Sequence, residues 1–237
     1  MTRSLVPKVP KVPKVPGVPG ASRRAQYSAT TKRALIDVAE ELFTENGYAA
    51  TSLDSIVAGA QVTKGALYHH FSGKQALFEA VFERVESNAS KAIQKSLRGE
   101  RDPWEKAMLG LRAFLEVVRE PTYRRVVILE GPAVLGYARF REQEERSTFA
   151  NVLEIVRSVL SAGDWALDED MLQTFARIFF GAMSSAGESV SGAQDPEAAA
   201  ARVESAISFI LMGFQSLAEA GVEIPAGGPE PEVEIEA

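Results

Sequence analysis

Cysteine is absent from the chain, which removes disulfides, thiolate metal sites and a cysteine nucleophile from the readings open to it. Histidine occurs twice, at His69 and His70. Neighbours on a helix point about 100° apart, so the two cannot form the i, i+4 pair that grips a metal. No apolar run approaches the ~20 residues of a membrane span, and Met1-Thr2-Arg3 is not followed by the apolar stretch of a secretory signal. The glycines carry no P-loop or dinucleotide fingerprint, and no apolar alternation of period two is sustained. These absences predict a cytoplasmic, all-α protein with no membrane association, no metal, no cofactor and no enzymatic activity; turnover of any substrate would contradict the last.

What is present is unevenly charged. Hydrophobic residues make up 46% and charged residues 24%, ordinary for a globular chain, but the net charge of -6 divides into +4 over residues 1–80 and -10 over 81–237. A basic N-terminal piece on an acidic remainder suits a DNA-binding module carried by a larger ligand or partner domain.

The stretch from Thr51 to Lys74, TSLDSIVAGAQVTKGALYHHFSGK, organises the chain. Leu53, Ile56, Val57 and Ala60 fall on one helical face, opened by Thr51 or Ser52 as N-cap with Asp54 in the first turn. The chain turns after Gly59, and Val62 is placed to fill the corner. Thr63 then caps a second short helix, in which Leu67 and Phe71 point inward. Its outward side carries Thr63, Lys64, Gly65, Tyr68 and His69, and no acidic residue lies between Asp54 and Glu79. A helix that meets DNA must avoid carboxylates, present donors and stay slim where its backbone nears the duplex. Gly65 costs a helix ~1 kcal/mol relative to alanine, a cost that close approach to a surface explains.

These residues resemble the DNA-binding domain of the TetR family of bacterial transcriptional regulators: Thr51-Ser52 opening one helix, Val62 to Phe71 as the next, and Lys74 starting another, within a match covering about residues 30–82. The resemblance implies an all-α fold, with an N-terminal three-helix helix-turn-helix domain and a larger C-terminal helical domain for ligand binding and dimerisation. It implies that Thr51, Ser52, Tyr68, His70 and Lys74 mostly hold phosphates, while Thr63, Lys64, Gly65 and His69 face base edges of double-stranded DNA carrying an inverted repeat. It also implies a homodimer built through the last two helices.

The expected organisation follows the chain. Residues 1–27 form a disordered basic arm in which VPKVPKVPKVPGVPG repeats proline every third residue, aligning Lys8, Lys11 and Lys14. It either follows the DNA backbone or is a passive tail; deleting residues 1–20 flattens the salt dependence of DNA binding in the first case and leaves it unchanged in the second. Residues 28–75 form the helix-turn-helix domain, starting with a helix from Thr30 or Thr31 that carries Leu35, Val38, Ala39, Leu42 and Phe43 and is capped at Asn46-Gly47. Residues 76–222 form the body: a helix from Lys74 to about Ser90, one from Pro103-Trp104 to Glu120, a short one over Thr122 to Leu129, a long one from Val134 to Leu160, and a closing pair over Asp168 to Ser189 and Pro196 to Ala220. Residues 223–237 form an acidic, disordered tail.

A small apolar or aromatic inducer is expected in the body. Its candidate contacts are Trp104, Met108, Phe114, Phe140, Phe175, Phe179 and Met183, with Arg124, Arg125, Arg139, Arg141 or Glu130 for orientation. The sequence does not name the ligand. A repressor is the expected function, since a dimer occluding a promoter needs no further surface. The alternatives are a transcriptional activator and a sequence-tolerant nucleoid-associated protein; flat affinity across unrelated duplexes would favour the latter, which the acidic body opposes.

Overall fold

The computed structural model describes residues 20–163, 165 and 167–223, with side chains from Ala25 onward. The prolines of the basic arm and the tail from residue 224 lie outside the described residues. Those described form ten α-helices and one π-helical segment, with no strand among them.

Helix α1, Gly20–Ala50, begins ten residues before the helix expected from Thr30. Pro19 is the last proline of the arm, and the next eleven positions, GASRRAQYSAT, contain no breaker after the first glycine, so helix propagates as soon as the imino acids end. Its stripe of Leu35, Ala39 and Phe43 is wholly buried. At Gly47 the backbone turns to φ 78°, a conformation that disfavours a side chain, and the last residues leave in a new direction.

Two short helices follow. In α2, Leu53–Gly59, the Ser52 hydroxyl accepts the Ser55 amide; in α3, Lys64–His70, the Thr63 hydroxyl accepts the Ala66 amide. Gln61 sits between them at φ 54°, the left-handed residue that reverses the chain. Ile56 and Leu67 project to the shared interior and are essentially inaccessible, each contributing roughly 1.5–3 kcal/mol of burial.

Helix α4, Lys74–Ser96, belongs to both halves. Leu77, Phe78, Val81 and Phe82 are fully buried, and Phe78 packs edge-on against Phe43 and Tyr48 at 5.3 Å. The Arg84 guanidinium reaches across to α1, bonding Glu40 at 2.7 Å, the Ile36 carbonyl at 3.0 Å and the Asp37 carboxylate. One continuous core runs from the head through α4 into the body.

In the body, α5 is Pro103–Val117, capped by Asp102; a π-helix spans Tyr123–Glu130; then come α6 Gly131–Leu135, α7 Tyr137–Ser147, α8 Phe149–Ala162, α9 Glu169–Gly192 and α10 Pro196–Glu219. The expected single helix from Val134 to Leu160 is thus three. It breaks at Gly136, where φ is 78°, and again at Thr148. The second break has a tertiary cause: the Ser147 and Thr148 hydroxyls both donate to the buried Glu86 carboxyl of α4.

Candidate nucleic-acid interface and ligand chamber

The outward face of α3 has almost no internal partners. Tyr68 is 59% exposed, and Thr63, Lys64, Gly65 and His69 are exposed beside it, as is the α2 cap Ser52. A methyl group built on Gly65 would meet only its own cap, Thr63 Oγ1, at 3.9 Å, so nothing inside the protein requires glycine there. Lys64 pairs with Asp54 at 2.7 Å with both side chains open to solvent, and this hydrogen bond raises the ammonium pKa. Such a pair is worth little in water and opens readily toward a competing anion. His70 is half-buried; burial first, then the neighbouring charges of His69 and Lys32, push its imidazole below the usual range.

Two of the residues expected to hold phosphates make bonds within the chain. Thr51 is buried, its hydroxyl donating to the carbonyls of Gly47 at 2.8 Å and Leu42 at 3.0 Å. The Lys74 ammonium donates to the carbonyls of Tyr48 at 2.7 Å and Thr51 at 2.9 Å and lies 4.3 Å from the centre of the Tyr48 ring. Both side chains satisfy backbone acceptors at the sharp exit from α1, and so fix where α2 begins. Lys32, which the helical pattern assigned no role, is exposed on α1 with its ammonium 5.8 Å from the Phe71 ring, at the C-terminal end of α3. A basic residue on the solvent side of α1 was the available signal.

The head is tied to the body through the π-helix. Glu130 accepts the Tyr48 amide at 2.7 Å and pairs with Arg125 at 3.3 Å, while the Thr44 and Thr122 hydroxyls bond at 3.2 Å. On α4, Gln75 donates to the Val134 carbonyl at 2.8 Å. A side chain at Gly47 would collide with Arg125 and Glu130, which gives that glycine a second reason.

The body encloses a cavity of about 130 Å³. Phe114, Phe140, Phe179 and Met183 are brought together in its wall, with Tyr123, Val127 and Ile128 of the π-helix forming one side. The remaining candidates lie elsewhere. Met108 takes a hydrogen bond from Ser208 at 3.4 Å; Phe175 packs on Phe214 outside the wall; Trp104 stands in the first turn of α5. Arg124 keeps a buried Nε without a partner away from the lining. Arg141 reaches the wall indirectly, 3.4 Å from Glu144 and over the Phe180 ring, and Arg139 is paired with Glu79 and Glu142 on the surface. The helical period could not single out Glu144, Thr148 or Glu188, which do line the chamber.

Two sequence families describe this chain: "Bacterial regulatory proteins, tetR family" matches residues 35–81, and "Tetracyclin repressor-like, C-terminal domain" matches residues 104–214. The chain belongs to the TetR family. It is a helix-turn-helix transcriptional regulator, and regulators of this family bind DNA operators and are typically dimeric. The HTH-type transcriptional regulator SrpR of Pseudomonas putida is 26% identical over 162 residues, 68% of this chain and 75% of that one. AcrR of Shigella flexneri is 41% identical over 68 residues, 29% of this chain and only 32% of its own length. A crystallised TetR-family regulator from Pectobacterium atrosepticum superposes with a TM-score of 0.69 at 29% identity, over 80% of this chain and 96% of that one. Relatives of this TetR-family chain are regulators, not enzymes. Among its described residues, no group of three or more His, Cys, Asp or Glu could hold a metal, and no helix is long and apolar enough to cross a membrane.

Proposed function

We propose that this protein is a homodimeric repressor that places two α3 helices in successive major grooves of an inverted-repeat operator, about 34 Å apart, and leaves when a small apolar or aromatic molecule enters the body. The observation that carries the reading is the α3 face: a glycine with no internal reason and exposed donors, of which Lys64 has only a solvent-open pair with Asp54, on a helix backed by Leu67 and Phe71. Thr63, Lys64, Gly65 and His69 face base edges; Ser52, Tyr68 and His70 take phosphates, joined by Lys32. Thr51 and Lys74 act as positioning residues.

Dimerisation supplies the second head. Ile178 on α9 and Phe209, Ile210, Met212 and Leu217 on α10 stand 44–75% exposed, and an isologous pairing of these helices covers them. For release, the π-helix is the transmitting element beside α4. Its Tyr123, Val127 and Ile128 line the chamber, while Thr122, Arg125 and Glu130 hold the end of α1. A ligand that shifts the π-helix therefore shifts the head, and two heads at the wrong spacing lose the paired grooves.

The test is selection of bound duplexes from a random pool by the purified chain at moderate salt. An enriched inverted repeat, with half-site centres about one helical turn apart, is the expected result; no enrichment by a folded, dimeric protein would overturn sequence-specific repression.

A further inference from the structure

The chamber is apolar over most of its wall but acidic at one end, and that end is short of positive charge. Glu144 of α7 and Glu188 of α9 line it, and among the described lining residues there is no lysine, arginine or histidine. Just behind the wall lies Glu86 of α4, 2% exposed. One of its oxygens accepts the Thr148 hydroxyl at 2.8 Å and that of Ser147, and the other, Oε1, is buried. Tyr123 of the π-helix, buried in the wall, has its hydroxyl within hydrogen-bonding reach of Glu86, and burial, then the charge of Glu86 and that bond, drive its pKa well up. The cation paired at this end is Arg141, 3.4 Å from Glu144 and over the Phe180 ring.

Two carboxyl groups line this end, with Glu86 behind them, and Arg141 pairs with Glu144 alone, so negative charge exceeds positive here. Asn151, another polar residue of the wall, is already satisfied, donating to Ser90 at 2.9 Å and accepting from Gln94 at 3.0 Å. An acidic end with no basic lining residue suits a cationic group, and the aromatic rings of Phe114, Phe140 and Phe179 suit the body of such a molecule as well as the field around its charge.

We infer that the inducer is a lipophilic amine, its ammonium group held at the Glu144–Glu188 end of the chamber and its hydrocarbon part among Phe114, Phe140, Phe179 and Met183. This rests on the chamber being the inducer site. Burial outweighs Arg141 at Glu144, and with Glu86 and Glu188 adding to the rise its pKa reaches about 7. The carboxylate form dominates above that value, so amine binding strengthens from about pH 6 to about pH 8. The charged and titratable groups facing Glu144 are Arg141 from its own helix, Glu86 from α4 and Glu188 from α9.

The experiment is direct calorimetric titration of the DNA-free full chain with three probes of one shape: phenylbutylamine, phenylbutanol and phenylbutyrate. The amine is expected to bind at least about tenfold more tightly than the alcohol, and the carboxylate not at all. Glu144→Gln is expected to bring the amine-to-alcohol ratio toward one and to abolish its pH dependence, while retained alcohol binding reports an intact chamber. Glu188→Gln, at an exposed rim position, provides the same reading without altering the interior. Equal or better binding of alcohol or carboxylate, or a ratio unchanged in both variants, overturns the charge assignment and leaves the chamber standing. Binding by none of the three overturns the chamber itself, with operator selection unaffected.

Discussion

The outer face of α3 and the wall of the body chamber are both surfaces without internal satisfaction, but they reach that condition by opposite routes. On α3 the unsatisfied groups are consecutive in sequence and fully wet: Thr63, Lys64, Gly65, Tyr68 and His69 lose nothing by waiting in water, because water bonds to them. At the chamber the carboxyl groups come from α4, α7 and α9 and grade from dry to wet: Glu86 Oε1 has no water-facing surface, while Glu188 stands at the exposed rim. The difference indicates where each kind of specificity resides. On the proposed reading the head discriminates through exposed groups on a buried backing, so its residues can change without cost to the fold. The body would discriminate through groups that also hold helices in place, binding its selectivity to its stability.

The largest effect that would sharpen this contrast is expected inside the head's backing. Lys74→Ala leaves the carbonyls of Tyr48 and Thr51 without their donor, and the expected loss is about 2–3 kcal/mol of stability, read by thermal unfolding, together with uniformly weaker binding to every duplex. A variant as stable as the parent would mean that Lys74 is free to meet phosphate after all. On the outer face the expectation reverses. Lys64→Ala lowers discrimination between operator and scrambled DNA by about 1–3 kcal/mol, while stability moves by less than about 0.5 kcal/mol; an unchanged ratio removes Lys64 from base readout.

Gly65→Ala separates the two quantities further. With open space around the position, alanine should raise helix stability by up to about 1 kcal/mol and weaken operator binding, since the added methyl stands where the duplex backbone comes closest. Equal operator affinity would contradict close approach. The smallest effect is expected at the link between the regions. Glu130→Ala removes the acceptor of the Tyr48 amide and the partner of Arg125. It should leave ligand affinity intact but reduce the ligand's effect on operator affinity about fivefold, a coupling loss near 1 kcal/mol. Undiminished coupling would transfer the role to α4 alone.

The same contrast explains what could be read from the sequence. The head was legible because its determinants are local. Ser52 and Thr63 cap the helices they precede, Leu67 and Phe71 repeat at helical spacing, and the outward set is what remains. The roles of Thr51 and Lys74 were not legible, because their partners are carbonyls brought close only by the break at Gly47. In the body the helical pattern revealed the closing pair but not the breaks at Gly136 and Thr148. The latter depends on Glu86, some sixty positions earlier, capturing two hydroxyls. Phe114, Phe140, Phe179 and Met183 reached the wall because large apolar residues are the usual lining. Trp104 and Phe175 satisfied the same criterion and went to other packing, since periodicity gives a face and not what the face meets.

The central claim is that the sequence read by this protein is set by the exposed residues of α3. The most direct measurement is duplex selection from a random pool, carried out in parallel with the parent chain and with the Lys64→Ala, His69→Ala double variant. The account predicts an inverted repeat from the parent, and from the variant the same half-site spacing with base preference relaxed at the positions α3 contacts. Identical motifs from both proteins would contradict it and place base readout on another part of the head.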